Sequence, residues 1–275
     1  MTTKMQFLKA KKFTLMFAFM ATLFTHSSNA TVVEFQTVFG NFEVNLFDET
    51  TPETVANFLS YVNSGAYALN VVHRSVPGFI VQAGGFQYNN VLFEAIPTGS
   101  TITNEPELSN VRGTIAMAKL ASNENSATSQ WFFNLADNST NLDTQNGGFT
   151  VFGQVLGDGM DVIDAIASTT RFNLGGAAAE IPLRNYTLSD LTNEVQITDD
   201  NLVIITDIVV TDTAIVTNAD LSPTPNTLIN SGGGGGGGGG DGGGSGDGSS
   251  GGGALSSYLI FFLTLIAVFR RIRNK

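Results

Sequence analysis

The chain of 275 residues contains no cysteine. Thiolate nucleophiles, disulfides and cysteine-ligated metal sites are therefore excluded. Histidine is nearly absent too, with only His26 and His73 present, so no zinc site with several histidine ligands can be built. Cations are scarce away from the ends. Lys4, Lys9, Lys11 and Lys12 lie in the first 30 residues, and Arg270, Arg271, Arg273 and Lys275 lie in the last six. That leaves five of the 13 Lys and Arg against 24 Asp and Glu between Thr31 and Gly253, a formal charge of −19. Phosphate binding needs a basic footprint, so a nucleic-acid partner is not expected. No GxSxG elbow sets a serine beside His73, and the glycine triplets are not followed by a basic residue for phosphate. Carboxylates are abundant, but abundance alone pairs none of them for glycosidase chemistry. Neither a metal nor a cofactor is expected.

What is present begins with two apolar blocks at the ends. The four N-terminal lysines precede "FTLMFAFMATLF", and "HSSNA" follows with Ser28 and Ala30 at the −3 and −1 positions. Charge, apolar core and small residues in that order predict a signal peptide over 1–30, cleaved after Ala30. At the other end, residues 217–253 read as a flexible linker, with nine consecutive glycines from Gly232 to Gly240. Residues 254–269 then form an apolar run giving ~24 Å of helix, short but close to spanning a bilayer. The basic end 270–275 is expected to stay cytoplasmic. This tail resembles the GlyGly-CTERM sorting signal of Gram-negative bacteria, which an intramembrane rhombosortase cleaves. The resemblance implies transient membrane attachment, and a domain at the periplasmic face of the inner membrane, on the cell surface or secreted.

Between the ends, 31–216 reads as one domain. "VVEFQTVFGNFEVNLF" predicts two strands joined at Gly40-Asn41. "TPETVANFLSYVNSG" predicts a helix with Thr51 as N-cap, Pro52 in the first turn, Gly65 as the stop, and Val55, Phe58, Leu59 and Val62 on one stripe. Short strands follow at "NVVHR", "FIVQAGG", "GTIAMAK", "SQWFFNLA" and "FTVFGQV", then a second helix at "GMDVIDAIAS" and a closing strand at "NLVIITDIVVTD". The pattern predicts a mainly antiparallel barrel or sandwich with helical covers. Residues 169–201 are expected to be a long loop or insertion.

Three blocks carry a resemblance. "VVHRSVPGFIVQAGG" resembles the "FHRVIPGFMVQGGD" signature of cyclophilin-type peptidyl-prolyl cis–trans isomerases. "GTIAMAKLASNENSATSQWFFNLADN" resembles their second signature as it stands in bacterial exported members, and "NLD…FTVFGQVLGDGMDVIDAI" follows in the family's order and spacing. The resemblance implies an eight-stranded antiparallel β-barrel capped by two α-helices, acting as a monomer on proline-containing polypeptides. It implies Arg74 as the catalytic residue. Phe79, Phe132 and Leu142 match the walls of the proline pocket; Ile80 stands where methionine is common, and Phe149 where histidine or tyrosine often sits. Gln82 and Gln130 match the groups that hold the substrate backbone, and Ala118 with Lys119 the edge that pairs with it. His73 is expected to be structural, and Trp131 to face away from Phe132 because strand neighbours alternate faces. Asn141 replaces a tryptophan found in many eukaryotic members, which implies weak cyclosporin affinity. A non-catalytic reading stands beside this one, in which the groove binds proline motifs as an adaptor or chaperone.

Overall fold

The computed structural model describes residues 31–90, 93–213 and 221–229. The signal-like segment 1–30, the apolar run 254–269 and the basic end 270–275 lie outside the described residues, as does most of the linker 217–253. No helix among the described residues is long and apolar enough to cross a membrane.

The chain opens with β1 (Val32–Thr37) and β2 (Gly40–Leu46), paired antiparallel with Thr37 opposite Gly40. The turn is therefore at Val38–Phe39, two residues earlier than expected, and Gly40 follows it at φ +124°, a left-handed value that suits glycine. Helix α1 (Pro52–Asn63) comes next. It is followed by β3 (Asn70–Val71), β4 (Arg74–Val76), β5 (Ile80–Ala83), β6 (Phe86–Tyr88), β7 (Phe93–Ala95), β8 (Thr114–Met117) and β9 (Trp131–Asn134). The remaining elements are α2 (Ser139–Leu142), β10 (Val151–Val155), α3 (Gly159–Ala167), β11 (Arg171–Phe172), β12 (Ile181–Pro182), α4 (Leu188–Thr192) and β13 (Ile204–Asp212).

One antiparallel sheet holds eleven of these strands in the order β4-β5-β9-β8-β10-β2-β1-β13-β3-β6-β7. It curls strongly. β4 pairs with β5 at one flank and β3 pairs with β13 and β6 towards the other, yet only Val72 and His73 separate β3 from β4 along the chain. The expected count of eight differs from eleven because this break divides one strand into two and because the β6–β7 hairpin extends the sheet past β3.

The concave face encloses an aromatic core. Phe35 lies 5.0–6.2 Å from the rings of Phe42, Phe58, Trp131 and Phe133. Offset and edge-on contacts of this kind add to the area term, and losing a buried phenylalanine ring costs about 3–5 kcal/mol. Phe58 of α1 and Ile163 of α3 bury fully against the same cluster, so these two helices are its covers. Residues 169–201 are not a loop. β11 pairs with β12, and Thr187 and Asp190 form a capping box at α4. Phe172, Ile181, Leu183 and Tyr186 build a second small core with Leu202, which bridges Leu183, and with Val71 and Ile204 of the main sheet.

Candidate active site

Strand register aligns the site. Arg74 lies opposite Gln82 across β4–β5, Gln82 opposite Phe132 across β5–β9, and Phe132 opposite Ala116 across β9–β8. Directly opposed residues share a face, so these four form one row on the convex side of the sheet. Their strand neighbours Val81, Trp131 and Phe133 turn inward to the core. The expected opposition of Trp131 and Phe132 is therefore met.

At one end of the row stands a chain of polar groups. Arg74 Nη1 donates to Gln82 Oε1 at 3.3 Å, and Gln82 Nε2 donates to Gln130 Oε1 at 2.9 Å. Arg74 Nε donates to Glu180 Oε2 at 3.2 Å. Its Nη2 has no hydrogen bond to any described residue. Glycines make room behind the row: a Cβ on Gly85 would lie 2.9 Å from the Gln130 side chain. One on Gly84, at φ +82°, would lie 2.4 Å from the Ser129 carbonyl oxygen.

At the other end lies an apolar cluster separate from the core. Ile80, Leu108, Ala116, Phe132, Leu142 and Val151 are buried in it, with Phe79, Ala118 and Phe149 half-buried around them. Phe132 and Phe149 meet edge-on at 5.9 Å. Ala118 donates its N–H to the Gln130 carbonyl at 2.9 Å. Nine of the ten expected residues thus converge on one patch, with a cation at its edge. Lys119 differs. Its side chain is buried, and its ammonium donates to the carbonyls of Asn146 and Gly148 and lies 4.9 Å over the Phe149 ring. Burial lowers its pKa to about 8. Through this side chain Lys119 secures the loop before Phe149.

Beneath the pocket runs a polar scaffold that the sequence reading missed. Asp143 is fully buried and accepts from the Ser109 hydroxyl and from Asn110 N at 2.8 Å. Asn110 also donates to Phe149 O, and Asn134 donates to Asn110 Oδ1. Asn138 bridges Asn134 and the Phe79 carbonyl. Three pocket walls therefore hang on one network. Its only sequence trace is Asp143, the acidic partner of Leu142 in "NLD". Asn141 itself is exposed beside Leu142.

His73 is buried in the opposite sense from Arg74, edge-on to Phe86 at 5.0 Å. Burial, reinforced by the Arg74 charge, lowers its pKa to about 4, so it is a neutral packing group at physiological pH. The described part of the expected linker is docked rather than loose. Leu108 bridges Pro225, Ser109 N donates to Thr224 O at 2.8 Å, and Asn226 N donates to Glu107 O at 2.8 Å. Asn226 Nδ2 reaches Asp143 O at 2.9 Å, so this segment braces the scaffold from behind.

Comparison with known proteins places the chain among relatives. A family model described as cyclophilin type peptidyl-prolyl cis-trans isomerase matches residues 32–192. The chain is 41% identical over 153 residues to a peptidyl-prolyl cis-trans isomerase of Acinetobacter baylyi, covering 54% of this chain and 79% of that protein. It is 43% identical over 162 residues to peptidyl-prolyl cis-trans isomerase A of Dickeya dadantii, covering 58% and 79%. With peptidyl-prolyl cis-trans isomerase B of Escherichia coli it shares 35% identity over 167 residues, covering 58% and 98%.

Proposed function

Because the chain belongs to the cyclophilin-type peptidyl-prolyl cis–trans isomerase family and interconverts X-Pro peptide bonds, we propose that the reaction runs over the row from Arg74 to Phe132. The peptide C–N bond resists rotation by ~18–20 kcal/mol because resonance makes it partly double. Half-way through the turn that resonance is gone, and the prolyl nitrogen carries a localised lone pair. A donor aimed at this nitrogen stabilises the twisted state more than either planar one, which is the condition for acceleration. The Nη2 edge of Arg74, which no described residue engages, supplies the donor. Phe79, Ile80, Phe132, Leu142 and Phe149 hold the proline ring, while Gln82 and Gln130 with the Ala118 edge hold the flanking backbone. The observation that carries the reading is the register itself, which puts the guanidinium and the apolar pocket on one face, Gln82 between them.

The site is tested by titrating isotope-labelled protein with an Ala-Pro tetrapeptide. Amide shifts concentrated at Arg74, Gln82, Ala118 and Phe132 are expected. Shifts concentrated elsewhere would move the site.

The finer reading is an exported monomer with an eight-stranded closed barrel, carried on a GlyGly-CTERM-like tail, that helps exported proteins fold. Support comes from the sequence patterns at both ends and from Thr31. Thr31 N donates to Asp48 Oδ2 and Thr31 Oγ1 to Asp48 Oδ1, both at 2.8 Å, so the fold takes hold at the residue after the expected cleavage point. Intact mass of the protein recovered from cells tests both ends: a chain starting at Thr31 and stopping within the glycines supports the reading. A chain reaching Lys275 removes tail cleavage.

A further inference from the structure

The segment 169–201 has no role in the chemistry described so far, yet it delivers a carboxylate to Arg74. We infer that Glu180 is a positioning residue for the reacting guanidinium. The inference rests on Arg74 being the catalytic cation.

Three observations carry it. First, the Glu180 carboxylate accepts from Arg74 Nε at 3.2 Å, while Gln82 accepts from Nη1 at 3.3 Å. Two acceptors, one on Nε and one on Nη1, fix both the reach and the roll of a planar group that otherwise turns about several single bonds. The Nη2 edge is the part left for substrate. Second, Glu180 is not carried on a loose loop. Ser75, the residue after Arg74, donates its N–H to the Glu180 carbonyl at 2.8 Å. The next residue, Ile181, is fully buried in the second core and begins β12. The carboxylate is thus anchored to the strand that bears its partner. Third, both side chains keep partial contact with water, with 25% of Arg74 and 42% of Glu180 exposed. A pair so exposed adds little to stability, so its main effect falls on the orientation of Arg74. The negative charge also draws on the guanidinium's field, a cost that a neutral acceptor at the same place would avoid. Orientation therefore depends on the acceptor atom, and the charge is dispensable.

This separates two substitutions. Glu180→Ala removes the acceptor, whereas Glu180→Gln keeps an oxygen able to accept from Nε. The test uses the full-length chain with an Ala-Pro peptide, measuring kcat and KM for wild type, Glu180→Ala, Glu180→Gln, Arg74→Ala and the Arg74→Ala/Glu180→Ala pair, with Tm recorded for each. Glu180→Ala is expected to lower kcat/KM about tenfold, chiefly in kcat, while Glu180→Gln stays within about twofold of wild type. On the Arg74→Ala background, Glu180→Ala should change the rate by less than about twofold, since a residue acting through Arg74 has nothing left to position. The inference is overturned if Glu180→Ala stays near the wild-type rate, if Glu180→Gln is as impaired as Glu180→Ala, or if the loss is equally large without Arg74. The premise fails separately: an Arg74→Ala protein at full activity would remove Arg74 from the chemistry, whatever Glu180 does.

Discussion

At the scale of single residues, His73 and Arg74 show how a strand assigns opposite fates to neighbours. The histidine goes inward and is desolvated, and the arginine goes outward to the groove. His73 has a consequence for stability against pH. Its folded pKa of about 4 lies below the unfolded value of 6.5. Between those values the unfolded chain binds a proton that the folded chain refuses, so stability rises with pH across the window and is lost as pH falls from 6.5 towards 4. The full effect is about 3 kcal/mol from this group. The wild-type Tm should therefore fall from pH 7 to pH 4.5, and His73→Gln should show a shallower slope there whatever its absolute Tm. An unchanged slope would mean the histidine titrates normally. Arg74, Phe79 and Gln82 were legible in the sequence because they sit within nine residues of one block. Glu180 was not, because its tie to Arg74 spans 106 positions and nothing local marks it.

At the scale of elements, the sequence placed α1 and its terminal Gly65 correctly but not its cap. Thr51 occupies the N-cap position without capping, since its hydroxyl bonds to the Phe47 carbonyl. The carboxylate of Glu105 takes over, accepting from Glu53 N at 3.2 Å and from Thr54 N at 2.9 Å, where it also meets the positive end of the helix dipole. Glu105→Ala should cost about 1–2 kcal/mol in denaturant unfolding; an unchanged midpoint would deny it the capping role. A cap from 51 residues away has no local signature, which is why sequence pattern pointed to the threonine. The same limit hid the second core, whose short strands bury their apolar residues against Val71 and Ile204 of the main sheet rather than in a repeat of their own. The docked segment 221–229 looks like a linker in composition, and only its partners show otherwise. Asn226→Ala removes the bond to the carbonyl of Asp143, next to Leu142, together with the two bonds that shape its own segment, and should cost about 1–2 kcal/mol. A stability equal to wild type would show that the segment rests on the domain without bracing it.

At the scale of the whole molecule, the curled sheet makes two compartments: an aromatic core within, and the row of site residues without. Alternation along β5 and β9 builds both at once, so the core and the groove were legible together once the blocks were recognised. The curl was less so, because it depends on the two-residue break at Val72–His73. The contacts at Thr31 also carry a prediction about processing. If cleavage follows Ala30, the Thr31 amide becomes an ammonium facing the Asp48 carboxylate, and a hydrogen bond becomes an ion pair. A chain beginning at Thr31 should then be more stable than one retaining Asn29 and Ala30, by about 1 kcal/mol, and Asp48→Asn should erase the difference. Equal stability of the two chains would contradict this.

Catalysis by a cation beside an apolar groove is tested most directly by the rate of Ala-Pro peptide isomerisation in Arg74→Ala. One preorganised donor at a transition state is worth about 10²–10³ in rate. The mechanism requires a fall of that order in kcat/KM, with the circular dichroism spectrum and Tm kept close to wild type. A correctly folded Arg74→Ala protein that isomerises the peptide at the wild-type rate would contradict it.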